Sequence, residues 1–453
     1  MSVISPDSKE ASTFKHGVHP AEYKELSNKY AIERMPFLEE YMLPLSQHIG
    51  APSTCIVKKG QKVRRGEKIA DAVGFVSTAL HSPVDGEIIA IDIFEHPNGQ
   101  MLPGIKIKTD PYSTQQMESE PPFDLNTLDA NAFVSAVQDA GIVGMGGAAF
   151  PAHVKFAIPE GKTCKYIMVN GCECEPFLTA DHRIMVEYAD EIIDGITILK
   201  QFVGAEKAFI AIETNKPDAI AILTEKAKES DFPIEVTPLK VKYPQGAEKM
   251  MITAIMGGEV PVGTLPIDLG ILVSNVGTIA SLSDLFRKGK PLMERVVTIT
   301  GTAIKRKTNV LVPIGTPIRE VIDLCGGMTD DASRILLGGP MMGVVQKNVD
   351  TPILKGTSGI LVLTNNEVKN KTEYNCIKCS RCIDACPMFL NPSVLGMLAK
   401  KGLWEEMEQE YNVMDCFECG SCSYVCPSSI PLVQSFRIAK GFIREKFARE
   451  RVK

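Results

Sequence analysis

Eight cysteines near the end of the chain fall into two runs of one pattern. Cys376-Ile-Lys-Cys379-Ser-Arg-Cys382-Ile-Asp-Ala-Cys386 is followed by Pro387, and Cys416-Phe-Glu-Cys419-Gly-Ser-Cys422-Ser-Tyr-Val-Cys426 by Pro427. Three thiolates spaced three residues apart let one tight loop wrap three corners of a cubane iron–sulfur core while backbone N–H groups face its sulfurs. The fourth cysteine, turned away just before a proline, serves the other core. The spacing therefore assigns Cys376, Cys379, Cys382 and Cys426 to a [4Fe–4S] cluster I, and Cys416, Cys419, Cys422 and Cys386 to a [4Fe–4S] cluster II. Zinc takes two CxxC pairs at most per metal, not two matched sets of four with terminal proline. The chemistry of such centres is one-electron transfer.

The elements that must hold these loops are helical. Asn391-Pro392-Ser393 reads as a helix start; Val394, Leu395, Met397 and Leu398, then Leu403, Trp404, Met407 and Tyr411, keep helical spacing with a break at Gly402. The paired runs are those of bacterial two-cluster ferredoxins, and the helical linker points to their α-helical variant. The first loop carries Lys378 and Arg381 against Asp384, the second Glu418 and no base, so on charge alone cluster I has the higher potential. From Arg437 onward seven Lys/Arg stand against two Glu, read as a solvated helix end rather than a membrane contact.

Composition sets the frame. At 453 residues, three or four domains are expected, taking about 100–200 residues each. Hydrophobic residues at 44% and charged residues at 23% are those of a globular protein. A net charge of −6 leaves no footprint for nucleic acid. The polar start MSVISPDSKEAS has no apolar core of a secretory signal, and no 18-residue apolar run predicts a membrane-spanning helix. Thirteen cysteines in such a chain favour metal or redox chemistry over a disulfide scaffold, and no histidine beyond His182 competes as ligand.

A second constellation lies mid-chain. A helix running to Gly141 is followed by Gly144-Met-Gly146-Gly147-Ala-Ala-Phe150-Pro151 and a second helix start, with Lys155 within it. Glycines let a backbone approach a phosphate, and a cation adds direct charge. A helix rather than a strand precedes this loop, so it is not the usual dinucleotide fingerprint. A buried strand, Tyr166-Ile-Met-Val-Asn170, then leads into Gly171-Cys172-Glu173-Cys174-Glu175-Pro176; Tyr243-Pro-Gln-Gly246-Ala-Glu248 and Val273-Ser274-Asn275-Val276-Gly277-Thr278 come later. In order and rough spacing the four segments resemble the flavin- and NADH-binding domain of the complex I flavoprotein subunit. The resemblance implies non-covalent FMN held by Gly144, Gly146, Gly147, Lys155, Asn170, Asn275 and Thr278, with Glu173, Gly246 and Ser274 completing the cofactor-binding set. It places Phe150, Glu175, Tyr243 and Glu248 around the nicotinamide, with Phe150, Glu175 and Glu248 nearest the hydride transfer. Met145, Ala149, Cys172, Cys174, Ala247 and Ser274 stand where that family has arginine, glycine, aspartate, serine, glutamate and asparagine, which implies weaker flavin binding. Cys172 and Cys174, one residue apart, are poorly spaced as a chelate and read as buried inert thiols.

Residues 51–91 carry short strands with turns at Gly60, Gly66 and Gly86 and look like a barrel-sandwich hybrid of the biotinyl/lipoyl type. No lysine lies between Lys68 and Lys106 to accept a carried group, so a structural or docking role is expected. Residues 291–365, with a short helix near Ile318–Leu324, resemble the β-grasp (SLBB-like) domain that follows the flavin domain in complex I. The expected chain is multidomain, α/β and α+β: barrel-sandwich region 1–120, Rossmann-like FMN/NADH domain 121–290, β-grasp 291–365 and two-cluster ferredoxin module 366–453.

That order, with Lys15-His-Gly-Val-His19-Pro20, resembles the RnfC family, a peripheral subunit of membrane-bound complexes that couple ferredoxin and NAD to Na⁺ or H⁺ transport. The resemblance implies electron passage between NAD(H) as substrate, FMN and two clusters, on the cytoplasmic side of the membrane, beside other Rnf membrane and iron–sulfur subunits, with ferredoxin as indirect partner and no nucleic acid. Two other readings stand: a soluble cobalamin reductase of the same modules, which lacks a leading barrel-sandwich, and an electron wire with a vestigial nucleotide site. Anaerobically prepared protein is expected to hold about eight irons and matching sulfide per chain and to absorb broadly near ~400 nm; colourless protein with fewer irons contradicts the cysteine assignment.

Overall fold

Four strands with near-continuous apolar stretches form a parallel sheet in the middle of the chain, in the order Ile234–Leu239, Lys207–Glu213, Tyr166–Gly171, Ile271–Asn275. A strand covered on both faces has to be apolar throughout, and Ile167, Met168, Val169, Ile210, Ala211 and Ile212 are fully shielded. From Tyr166–Gly171 the chain adds two strands on one side, then returns to place Ile271–Asn275 on the other. Ligands of open α/β sheets bind at the carboxyl ends of the strands at such a reversal. Asn170 and Asn275 stand there in register on adjacent strands.

The computed structural model describes residues 11–117, 123–368 and 372–451; the polar start at 1–10 and the boundary expected at 120/121 lie outside them. Ahead of the parallel sheet, two antiparallel sheets face each other. One orders Glu40–Pro44, Met101–Thr109, Gly86–Glu95 and Lys62–Val63; the other orders Thr54–Cys55, Lys68–Asp71 and Leu80–His81. Tyr41, Leu43, Ile69, Leu80, Ile88, Ile105 and Ile107 fill the space between them. Helix Ala130–Asp139 begins where Asp129 accepts the Ala132 N–H, stops before Gly141 and is followed after the glycine loop by the short helix Ala152–Phe156, as the sequence implies.

The third sheet is mixed and six-stranded, in the order Ile32–Arg34, Thr308–Pro313, Glu294–Thr300, Gly359–Thr364, Ala332–Leu337, Val344–Gln346. Helix Ile318–Leu324 buries Ile318, Val321 and Ile322 against it. Its first strand comes from the amino-terminal region, pairing in parallel with Thr308–Pro313. Residues 372–451 form no strand. Helices Pro392–Lys401, Trp404–Gln409 and Leu432–Arg451 share a core of Leu395, Met407, Val433, Phe436, Ala439 and Ile443. Asn391 caps the first by accepting the Val394 N–H, and Gly402 closes it, as the sequence implies.

One buried carboxylate ties three of these segments together. Glu294 receives Arg34 from the edge strand at 2.9 Å, Arg65 from the front sheets at 2.8 Å and Lys290 at 2.9 Å. Burial alone would raise its pKa, but Lys290, Arg34 and Arg65 outweigh burial and hold it at about 2. A carboxyl depressed on folding adds stability that is full above its ordinary value of 4.5 and lost as pH falls toward about 2. Glu294→Gln is expected to lower the free energy of denaturant unfolding at neutral pH by about 3 kcal/mol. The gap to the parent should narrow as the pH is lowered from about 5; a gap independent of pH contradicts the assignment.

Candidate functional site

The two cysteine runs fold alike. Residues at matching places adopt left-handed backbone: Lys378 and Glu418 (φ 56° and 63°), Ser380 and Gly420 (62° and 85°), Phe389 and Ser429 (55° and 53°). Each run then enters a four-residue helix, Arg381–Asp384 or Ser421–Tyr424. The curl turns backbone amides onto sulfur, Lys378 N–H to Cys376 Sγ and Glu418 N–H to Cys416 Sγ, both at 3.4 Å. Burial pushes the Cys382 thiol up, and the neighbours that push it further are Cys426, Cys376 and Cys379. For Cys422, after burial, they are Cys419, Cys416 and Cys386. Each set thus gathers three thiols from one run and the fourth from the other. Among the described residues no three His, Cys, Asp or Glu side chains close around the position of a single ion. Cys386, Cys416, Cys419 and Cys422 line an apolar hollow walled by Phe417, Val433 and Phe436. Four thiols around an apolar hollow, spread too wide for one ion, fit a cubane.

At the carboxyl ends of the parallel strands, the glycine loop is pinned from below. Thr278 Oγ1 accepts the Met145 N–H at 3.0 Å and donates to the Val143 carbonyl at 3.1 Å, while Gly144 N–H closes the loop on the Phe150 carbonyl at 2.8 Å. Gly146 presses on Asn275, so closely that a Cβ would stand 2.5 Å from the Asn275 Nδ2; beside Gly147 the space is open. Asn275 Oδ1 caps helix Val276–Lys288 through the Gly277 N–H, and its Nδ2 donates to Asp181 at 2.7 Å. Asn170 Nδ2 donates to the Gly246 carbonyl at 2.8 Å, and Lys155 meets Glu248 at 2.7 Å. Ser274 is buried on its strand, Phe150 half-buried at the loop's end. Glu173 accepts the Asp181 and His182 N–H groups, so it serves the start of helix Ala180–Glu187. Cys172 and Cys174 are raised by burial, in line with inert thiols, and Cys174 Sγ accepts the Gly246 N–H. An open face beside a glycine, braced by two asparagine amides with a lysine nearby, fits a flavin phosphate and ring.

Four family profiles match successive stretches of the chain. Residues 12–112 match the RnfC barrel sandwich hybrid domain, 137–284 the Nuo51 FMN-binding domain, 296–345 the SLBB domain and 368–427 a 4Fe-4S dicluster domain. The chain is 44% identical over 442 residues to a subunit of the proton-translocating ferredoxin:NAD(+) oxidoreductase complex of Clostridium ljungdahlii, covering 97% of this chain and 96% of that one. The chain belongs to the RnfC family. It is also 44% identical to the matching subunit of the Na(+)-translocating ferredoxin:NAD(+) oxidoreductase complex of Acetobacterium woodii, covering 97% and 98% of the two chains. To its counterpart in the ion-translocating oxidoreductase complex of Rhodobacter capsulatus it is 39% identical, covering 97% and 84%. Identity over nearly the whole of both chains decides for the RnfC family over the cobalamin reductase reading.

In this RnfC-family chain, two side chains expected beside the nicotinamide are engaged elsewhere, one with the iron–sulfur module and one with the β-grasp segment. Tyr243 is buried and its hydroxyl donates to the Cys419 carbonyl at 2.6 Å. The Glu175 carboxylate accepts the Met341 and Met342 N–H groups at 3.1 and 2.8 Å, and burial lifts its pKa to about 7. Two residues unforeseen from the sequence complete the crevice. Asp181, raised to about 7 by burial and then by Glu173, takes the Asn275 amide. Arg295, lowered to about 10 by burial, donates to the Met145 carbonyl under the glycine loop. A charged pair at the head of an otherwise apolar strand, Glu294-Arg295, was the readable sign of it.

The charge balance around cluster II also differs from its loop sequence. Arg437 and Lys440 of the terminal helix, expected in solvent, both turn onto Glu418 at 3.0 and 2.9 Å, and Lys440 donates to the Cys416 carbonyl at 2.7 Å. Lys440 is buried, whereas Lys378 and Arg381 are exposed and screened by water. Glu418 is therefore no uncompensated charge, and the premise that ranked cluster I higher is removed. Lys440→Met is expected to lower the midpoint potential of cluster II by on the order of 60 mV, the one-electron equivalent of a tenfold change in equilibrium. A redox titration in which only the cluster I signal moves contradicts this placement.

Proposed function

We propose that this subunit passes electrons between NAD(H) and the other subunits of a membrane-bound, ion-translocating ferredoxin:NAD⁺ oxidoreductase, by way of FMN and two [4Fe–4S] clusters. The supporting observation is that one chain joins a nucleotide crevice at a sheet reversal to two sets of four thiols, in the domain order of the RnfC family. Flavin is the group that exchanges hydride with nicotinamide on one side and single electrons with iron–sulfur centres on the other.

The chain's own residues bind, orient and exclude water. The glycine loop, fixed by Thr278 and Arg295, presents its backbone beside the open space at Gly147. Asn170 and Asn275 stand on the strand ends with one amide edge each already oriented, by Gly246 and Asp181. Lys155 brings a cation to the crevice and keeps Glu248 close; both are partly exposed, as groups that meet an incoming nucleotide must be. Phe150 offers an aromatic face at the loop's end. Hydride transfer needs no acid or base from the protein, only rings held close and dry. Among the described residues no helix is long and apolar enough to cross a membrane, which agrees with a peripheral place beside membrane subunits, on the cytoplasmic face where NADH is found.

Full-length protein with reconstituted clusters is expected to bind FMN and to lose the flavin's visible absorption on addition of NADH. Gly146→Ala, whose new methyl must displace the Asn275 amide, should weaken FMN binding about tenfold or more while leaving iron content unchanged. Parent protein that takes up no FMN, or takes it up and does not respond to NADH, defeats the proposal.

A further inference from the structure

The two thiol sets have different surroundings. Cys386, Cys419 and Cys422 are buried and Cys416 is half-buried; Cys376 and Cys379 are exposed, with Cys382 and Cys426 half-buried. On the covered side three domains converge. Tyr243 leaves the nucleotide-binding domain just after strand Ile234–Leu239, Cys174 lies just past strand Tyr166–Gly171, and Met341 belongs to the β-grasp segment. All three pack with Ala385, Phe417 and Cys419 in one apolar cluster. Gly420 lies so close to the β-grasp loop that a Cβ would come within 2.8 Å of the Met341 carbonyl. Met341 is itself anchored, through its N–H, by Glu175 of the nucleotide-binding domain. Among the described residues nothing comparable covers the other set: residues 372–381 are exposed throughout, with Tyr374 and Ile377 at 64% and 67%.

We propose that cluster II is the inner station of the relay, against the nucleotide-binding domain, that cluster I is the outer station, which meets a one-electron redox partner, and that Tyr243 is the positioning residue that holds the inner station in place. This rests on the reading of the chain as a nicotinamide–flavin–cluster relay. Electron transfer weakens steeply with distance and is best served by packed atoms without intervening water, which the cluster around Tyr243 supplies on one side of set II only. In the NADH-oxidising direction a hydride delivers two electrons and one proton. The proton goes to solvent; with the clusters bound, Cys386, Cys416, Cys419 and Cys422 would hold the carrier that takes these electrons one at a time, and Cys376, Cys379, Cys382 and Cys426 the carrier that hands them to the partner's one-electron acceptor. In the other direction the same order is reversed. The part of Tyr243 is to position: its hydroxyl donates to the Cys419 carbonyl.

The test uses full-length protein loaded with FMN and clusters, in three variants: Tyr243→Phe, Cys422→Ala, which removes cluster II, and Cys379→Ala, which removes cluster I. Electron paramagnetic resonance during a mediator titration assigns each signal, and stopped-flow absorption follows cluster reduction by NADH. The cluster left in Cys379→Ala should be reduced by NADH about tenfold or more faster than the one left in Cys422→Ala, although dithionite reduces both. Tyr243→Phe should shift the midpoint of the signal that Cys422→Ala abolishes and leave the other in place. Equal NADH rates for the two remaining clusters, or a Tyr243→Phe variant that moves both midpoints together or neither, overturn the proposal. If a cysteine variant loses all its iron, the Tyr243→Phe titration decides alone. Flavin bleaching by NADH in the parent reports separately on the underlying function. Its absence speaks against that function, while the mediator titration, which needs no NADH, still tests the placement.

Discussion

Holding eight thiols in two sets of four is the requirement around which the carboxy-terminal module is built, because the loops that carry them are too short to hold themselves. Five non-glycine residues, Lys378, Ser380, Phe389, Glu418 and Ser429, are bent into left-handed backbone to do it, each at a cost of about 1–3 kcal/mol. The helices Pro392–Lys401, Trp404–Gln409 and Leu432–Arg451 contribute one small core. Metal-binding free energy is folding free energy where the site does not exist beforehand, so the strained loops draw their stability from the iron they enclose. The terminal helix does more than pack: through Lys440 and Arg437 it supplies the cations that the second loop lacks.

What could be read directly was whatever depends on near neighbours in the chain. The three-plus-one division of cysteines follows from spacing, and so do the Asn391 cap, the Gly402 stop and the glycine loop between two helices. What could not be read depends on segments far apart in the chain coming together. Tyr243 could be matched to a nucleotide pocket, but its hydroxyl reaches a carbonyl 176 positions away. Glu418 looked uncompensated because its partners stand on another helix. Asp181 and Arg295 come within reach of each other's charge only once strand Glu294–Thr300 is laid beside the nucleotide-binding domain.

Buried cations are the joints between domains. Lys24 donates to the carbonyls of Glu173, Glu175 and Leu178, threading the amino-terminal segment into the turn behind the flavin crevice. Lys355 donates to Ala79 and Gly141, joining the front sheets, the helix before the glycine loop and the β-grasp segment, and Arg295 donates to its carbonyl at 2.6 Å. A charge in such a place is tolerable only with its donors satisfied. These contacts need all the partners at once, so the first three domains form an interlocked body rather than beads on a string.

The short strand Ile32–Arg34 carries this interlocking into the life of the nascent chain. Its hydrogen-bonding partner, Thr308–Pro313, is synthesised nearly three hundred residues later. At roughly 5–20 residues per second, the ribosome leaves that early segment without its mate for many seconds. An unpaired edge invites wrong pairing. Glu33 and Arg34, charged and exposed, blunt it during the wait, and a stretch made early is among the last to find its place.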